Sequence, residues 1–236
     1  MTTHFTSGVT NVGTDSTLGK LKAPAPHKYH TYFNDVDTYL ASDWTITTTE
    51  DGTGSATEAL ADGDGGLLLV TNAAGDNDHD FFQLVKEGYK YEAGKQLAFN
   101  MRFKTSDATQ SDIVAGLQLT DTSPLDVTDG IFFLKSDGAA TISFIVEKDS
   151  TQSTLTLPNS LADDTFMTIG FVYDPKDQKF HVFQNNVLAG TVVSTNAPDD
   201  EELTLSFGIQ NGAAAAKTLT VDYIGASKER TAATEL

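Results

Sequence analysis

From Tyr32 onward the chain places apolar residues at every second position, and that period dictates most of what it can fold into. Leu97, Phe99, Met101 and Phe103 point one way, while Ala98, Asn100, Arg102 and Lys104 point the other. Ile113, Ala115, Leu117 and Leu119 repeat the pattern, as do Ile142, Phe144 and Val146. Leu203, Leu205, Phe207 and Ile209 give the clearest case, opposed by Thr204, Ser206, Gly208 and Gln210. A two-residue period marks strands with one buried and one wet face. Roughly a dozen such runs occur at the spacing of a sandwich.

Turn residues agree with this reading. Asp137-Gly138 lies between Ile131–Lys135 and Thr141–Lys148, a strong hairpin signal. Asn185-Asn186 turns Phe180–Gln184 back on the strand that follows, and Asp174-Pro-Lys-Asp177 and Ala197-Pro-Asp-Asp200 read as turns. Gly212 to Lys217 is helix-prone but too short to stand alone. The expected class is all-β, an antiparallel sandwich of two sheets packed face to face.

The first thirty residues break the pattern. Phe5, Val9, Val12, Leu18 and Leu21 are sparse and aperiodic among Thr, Gly, Ser and Asn, and Ala23-Pro-Ala-Pro26 favours an extended link. The expected organisation is an N-terminal arm over residues 1–30, a sandwich over 31–228 and a tail over 229–236. Composition leaves a disordered tail and a docking arm equally open.

Composition excludes several functions. The 236 residues suit one large β domain, and without cysteine there are no disulfides or thiolate metal sites. Net charge is −18, from 33 acidic and 15 basic residues, so the surface repels phosphate backbones and no nucleic-acid partner is expected. Met1 to Lys20 lacks the basic start and apolar run of a signal peptide, and Leu67–Val70 and Ile131–Leu134 are too short to span a membrane. No membrane partner is expected.

No catalytic constellation is legible. Retaining glycoside hydrolysis needs two carboxylates about 5 to 5.5 Å apart, and the nearest strand, Thr141–Lys148, offers only Glu147. Trp44 is the only tryptophan, so there is no row of indoles to stack sugars. Asp76, Asp78 and Asp80 count like a calcium loop with Glu87 at position twelve, but Phe81 stands where the sharp turn needs glycine. A loop site from Asp76 and Asp78, or from Asp62 and Asp64, stays open, although no metal is expected. His4, His27, His30, His79 and His181 are scattered, and no nucleophile elbow appears. The expectation is no catalytic, metal or cofactor-binding residue and no enzyme activity.

The stretch from Phe166 to Lys228, closing on Thr218–Ser227, resembles the last strands of concanavalin-like jelly rolls, the fold of laminin-G domains, legume lectins and many glucanases. In glucanases of that fold the acids sit in a Glu-x-Asp-x-x-Glu strand, a pattern this chain lacks. The resemblance therefore implies the fold without the chemistry.

A second resemblance covers more of the chain. Met1–Val12, Ala23–His30, Tyr32–Trp44 and Leu125–Phe133 look like segments of a group of tailed-bacteriophage virion proteins. That likeness implies a structural protein of the particle, a capsid decoration or cement protein on the outer shell, made in the host cytoplasm. Its implied partners are the major capsid protein and further copies of itself, as a homotrimer. The arm residues Phe5, Val9, Val12, Leu18 and Leu21 would make the contacts. The alternative is a lectin-like adhesin on the virion that binds a glycan; it requires exposed aromatics on the concave face, with Tyr89, Tyr91 and Tyr173 as candidates.

Overall fold

The computed structural model describes residues 28–230, and all regular structure in them is β-strand apart from two single 3-10 turns. The strands are β1 (Tyr29–Asn34), β2 (Trp44–Thr49), β3 (Thr57–Ala61), β4 (Leu67–Thr71), β5 (His79–Leu84), β6 (Tyr89–Lys90), β7 (Leu97–Thr105) and β8 (Ser111–Gln118). After them come β9 (Gly130–Lys135), β10 (Ile142–Lys148), β11 (Thr151–Thr156), β12 (Met167–Asp174), β13 (Lys179–Gln184), β14 (Val187–Val193), β15 (Glu202–Asn211) and β16 (Thr218–Glu229). The first sheet runs β14-β13-β12-β7-β16-β4-β3, with β1 also on β16. The second runs β11-β10-β9-β8-β15-β5-β2, with β6 also on β15. Every pairing is antiparallel.

The core is the layer between the sheets. Leu97, Phe99, Met101 and Phe103 of β7 share it with Ile113, Ala115 and Leu117 of β8 and with Leu203, Leu205, Phe207 and Ile209 of β15. At one end Phe133, Phe144, Phe171 and Phe180 interlock at tilted angles, with centroids 5.1 Å apart for Phe133–Phe144 and 5.3 Å for Phe144–Phe171. At the other, Phe82 stacks on Phe207 at 4.7 Å and Trp44 meets Phe207 edge-on at 5.1 Å. These offset and edge-to-face arrangements are the favoured aromatic geometries. Trp44 is thus a core residue.

The hairpins form where turn chemistry placed them. Asn185 and Asn186, at φ 50° and 62°, make the two-residue turn between β13 and β14; asparagine tolerates this left-handed region better than most residues. Gly138, at φ 79°, lies in the β9–β10 connection.

Three expectations need revision. Among the described residues the strands number sixteen rather than a dozen, because short pieces such as β3 and β6 lack a readable period. Leu119 lies past the end of β8, half-buried, with its N–H donating to the Asp129 carbonyl at 3.0 Å. The outward faces of β8, β10 and β15 are not wet, for Val114, Gln118, Ile145, Thr204 and Ser206 are all buried. At the N-terminal boundary, Tyr29 and His30 pair with Glu229 and Lys228, and the Arg230 N–H donates to the Lys28 carbonyl at 2.8 Å. The arm residues Phe5, Val9, Val12, Leu18 and Leu21 lie outside the described residues.

Candidate functional site

The buried outer face of the second sheet is covered by the chain's own loop 119–129. Val127 packs there on Phe81, Val114, Phe132 and Ile145, with Leu125 and Leu134 at the margin. Polar side chains beneath hold the loop by its backbone: Gln118 Nε2 donates to the Pro124 carbonyl at 2.8 Å, and the Asp121 N–H donates to Gln83 Oε1 at 3.1 Å. Gln83 Nε2 in turn donates to Ser206 Oγ at 3.2 Å. Gly116 permits this packing, since a Cβ there would sit 2.5 Å from Phe132 Cα. Alternation could not reveal the arrangement, because the covering residues come from an aperiodic loop.

Glu147 borders this loop at 7% exposure, and it is not alone as its strand suggested. Burial raises its pKa, and the nearby Asp126 and Asp129 raise it further. Asp129 is itself buried, with Oδ1 accepting the Asp149 N–H at 3.1 Å. A carboxyl raised by burial beside other acids is the raw material of acid–base chemistry. Here the neighbouring acids, Asp126 and Asp129, belong to the covering loop.

The three tyrosines proposed as sugar platforms are all buried, Tyr89 at 2%, Tyr91 at 4% and Tyr173 at 0% exposure. Tyr91 Oη donates to Tyr173 Oη at 3.0 Å, and Tyr173 Oη donates to the Ala93 carbonyl at 2.8 Å. Burial pushes the Tyr89 and Tyr91 hydroxyls well above the usual tyrosine range. Each is a core ring with its hydroxyl beneath the surface, so none can stack on a ligand.

The acidic loops divide into used and exposed groups. Asp78 is fully buried, and its carboxylate accepts the N–H groups of Asp51 at 2.7 Å, Gly52 at 3.0 Å and Gly75 at 2.6 Å. Burial pushes its pKa up, but the three backbone donors outweigh it and hold the group below the usual carboxylate range. Asp78 therefore closes its loop, while Asp76, Asp62 and Asp64 stay exposed in turns.

One grouping escaped sequence reasoning. Asp174, Asp177 and His181 bring one ligand atom each to within 4.8 Å of one another across the β12–β13 hairpin. His181 Nε2 lies 3.0 Å from Asp177 Oδ2, while the other oxygens close the turn, Asp174 Oδ1 on the Lys176 N–H and Asp177 Oδ1 on the Lys179 N–H. The signal was Asp-x-x-Asp-x-x-x-His spanning a predicted turn. Two carboxylates and an imidazole can ligate a divalent cation, yet every contact seen here also serves the hairpin itself.

No protein-family model and no curated protein matches the chain. Among solved structures it is similar to a protein of unknown function from Shewanella oneidensis MR-1, at 15% identity and TM-score 0.62, over 95% of this chain and 99% of that one. It is similar to the carbohydrate recognition domain of Emp47p, at 14% identity and TM-score 0.59, over 88% and 99%. It is also similar to an endo-1,3-β-glucanase from Streptomyces sioyaensis, at 15% identity and TM-score 0.57, over 88% and 99%. Identities this low carry the fold alone. Two antiparallel sheets in this order, matched along most of the chain to lectin and glucanase structures, make the protein a concanavalin-like jelly roll.

Proposed function

We propose that the protein is a non-enzymatic structural component of a bacteriophage particle, a decoration or cement protein on the outer shell. The observation that supports a non-catalytic role is the loop seated on the second sheet. Val127 seats that loop in an apolar cluster with Ile145, two residues from Glu147 on the same face of β10. Incubation of the purified protein with β-1,3-glucan is expected to release no reducing sugar, and Glu147→Gln is expected to change nothing. Hydrolysis that Glu147→Gln abolishes would overturn the reading.

Support for the particle itself comes from the segments that resemble virion proteins. Leu125–Phe133 is the second half of the covering loop together with most of β9, and Tyr32–Trp44 runs from β1 to the start of β2. In this reading the N-terminal arm expected from the sequence makes the contacts with partners. Many such arms, each adding modest contacts, raise total affinity through multivalency.

Cementing makes a specific demand on the particle. Stripping the protein from virions is expected to lower the temperature at which DNA escapes while leaving adsorption to cells intact. The measurement compares thermal DNA release and adsorption for complete and stripped particles. Unchanged release with impaired adsorption would replace the cement reading by the glycan-binding adhesin, for which the lectin-like neighbours speak.

A further inference from the structure

A sandwich has two open sides, where the edge strands of its sheets meet. On one, Leu155 of β11 and Ala189 of β14 pack against the core. On the other, β2 ends the second sheet and β3 ends the first, and acids point inward. Glu58 of β3 stands opposite Val70 of β4, a core residue. Asp80 of β5 stands between Thr48 of β2 and Ile209 of β15, the latter again core. Cross-strand partners share a face, so Glu58 and Asp80 both project between the sheets. Glu50, just past β2, is held at the same side by the Ala56 N–H, which donates to its Oε1.

Two oxygens in this seam are buried without a hydrogen-bond partner, Asp80 Oδ2 and Tyr39 Oη. Asp80 is fully buried, and the Thr48 hydroxyl donates to its other oxygen. Burial, then Glu58 and Glu50, push up the Asp80 pKa; burial, then Glu58 and Asp80, push up that of Tyr39. The four groups therefore share one neighbourhood. Among the described residues, none of the three acids forms an ion pair. Asp78, equally buried, has three backbone N–H donors instead. A buried carboxylate with neither counter-charge nor full hydrogen bonding is costly, and such a group calls for an ion or a water.

We propose that the seam between β2 and β3 binds a calcium ion, with Asp80 Oδ2 and the Glu58 carboxylate as ligands. Glu50 adds charge at the mouth, and Tyr39 Oη meets a water of the ion. The donors are all oxygen, which selects a hard cation. No imidazole joins them, because His79 precedes Asp80 and lies on the opposite face of β5. Calcium accepts oxygens from flexible side chains and keeps some water, whereas magnesium demands a rigid octahedron. Thr48 and Glu50 are exposed and Glu58 is half-buried, so the ion enters from solvent. Held there, it would fasten the edge of one sheet to the edge of the other. The site concerns a single copy of the chain and stands independently of the virion reading.

The test melts full-length protein, dialysed against a chelator, with and without added calcium chloride. Moderate salt screens loose attraction to the acidic surface. Calcium about a hundredfold above its Kd should raise the Tm of the parent by roughly 5 °C. Asp80→Asn should abolish that rise and weaken calcium binding on the order of tenfold or more in a calorimetric titration. Glu58→Gln should weaken it likewise, and decides in its place should Asp80→Asn not fold. His181→Ala opens the other grouping of possible ligands, Asp174, Asp177 and His181, and should leave the rise intact. No rise in the parent would overturn the proposal, and so would a rise that Asp80→Asn retains or that His181→Ala removes.

Discussion

Replacing Leu205 with Asp is expected to abolish cooperative folding. Leu205 is fully buried on β15, the strand between β8 and β5 in the second sheet, and pairs with Leu117. The substitution removes a side chain from the centre of the core and puts an unpaired carboxylate in its place. Such changes cost at least about 4 kcal/mol, against total stabilities of about 5 to 15 kcal/mol. Urea unfolding should show no native baseline, or a midpoint close to zero denaturant. Val85→Asp is the control, because Val85 is 52% exposed and the change should stay within about 0.5 kcal/mol. A Leu205→Asp variant that melts like the parent would mean that β15 presents its other face to the core.

The second large effect has the opposite sign: Asp80→Asn should stabilise the protein at neutral pH. Asp80 is fully buried; its Oδ1 accepts the Thr48 hydroxyl at 2.5 Å, and its Oδ2 has no hydrogen-bond partner. Burial, then the nearby Glu58 and Glu50, push its pKa from 3.8 to about 6, against a smaller lowering by Thr48. The folded state therefore prefers the protonated acid. Its contribution is complete below about pH 3.8 and is lost as pH rises through about 6. Asparagine keeps the acceptor for Thr48 and carries no charge at any pH.

At pH 7.5 the variant should gain on the order of 2 kcal/mol, which raises Tm by roughly 5 °C in a domain of this size. At pH 4 the two proteins should melt together. Asp78 and Asp107, held below the usual range, lose their contributions only in stronger acid, so they do not confound this window. Parallel Tm curves for parent and variant from pH 4 to 7.5 would show that Asp80 is ionised throughout.

Much of the fold was legible because strands write their inner face into every second residue. Leu97 to Phe103 and Leu203 to Ile209 could be assigned on period alone, and both face the core. Asn185-Asn186 was legible because a two-residue turn restricts its chemistry. Tyr89, Tyr91 and Tyr173 were misread, since a tyrosine flanked by Lys90 and Glu92 or by Asp174 looks exposed in one dimension. In the sandwich, pleat and register turn these rings into the core while their hydroxyls reach one another or a carbonyl.

The sequence by itself determined that this is an all-β chain with an acidic surface and a compositionally distinct first thirty residues. Period, turn chemistry and charge are local or additive, and need no partner to be read. Only the tertiary structure decided which faces remain open. Loop 119–129 closes the second sheet because Val127 finds Phe81, Val114, Phe132 and Ile145, residues from four strands that no local pattern connects. Register across the first sheet likewise sets Phe33 and Leu188 at opposite ends of one row, Leu188–Phe183–Gly170–Asn100–Gly225–Phe33, although 155 positions separate them. Burial of a carboxyl such as Asp80 is decided the same way, by distant strands that remove its water and offer a single hydroxyl in return.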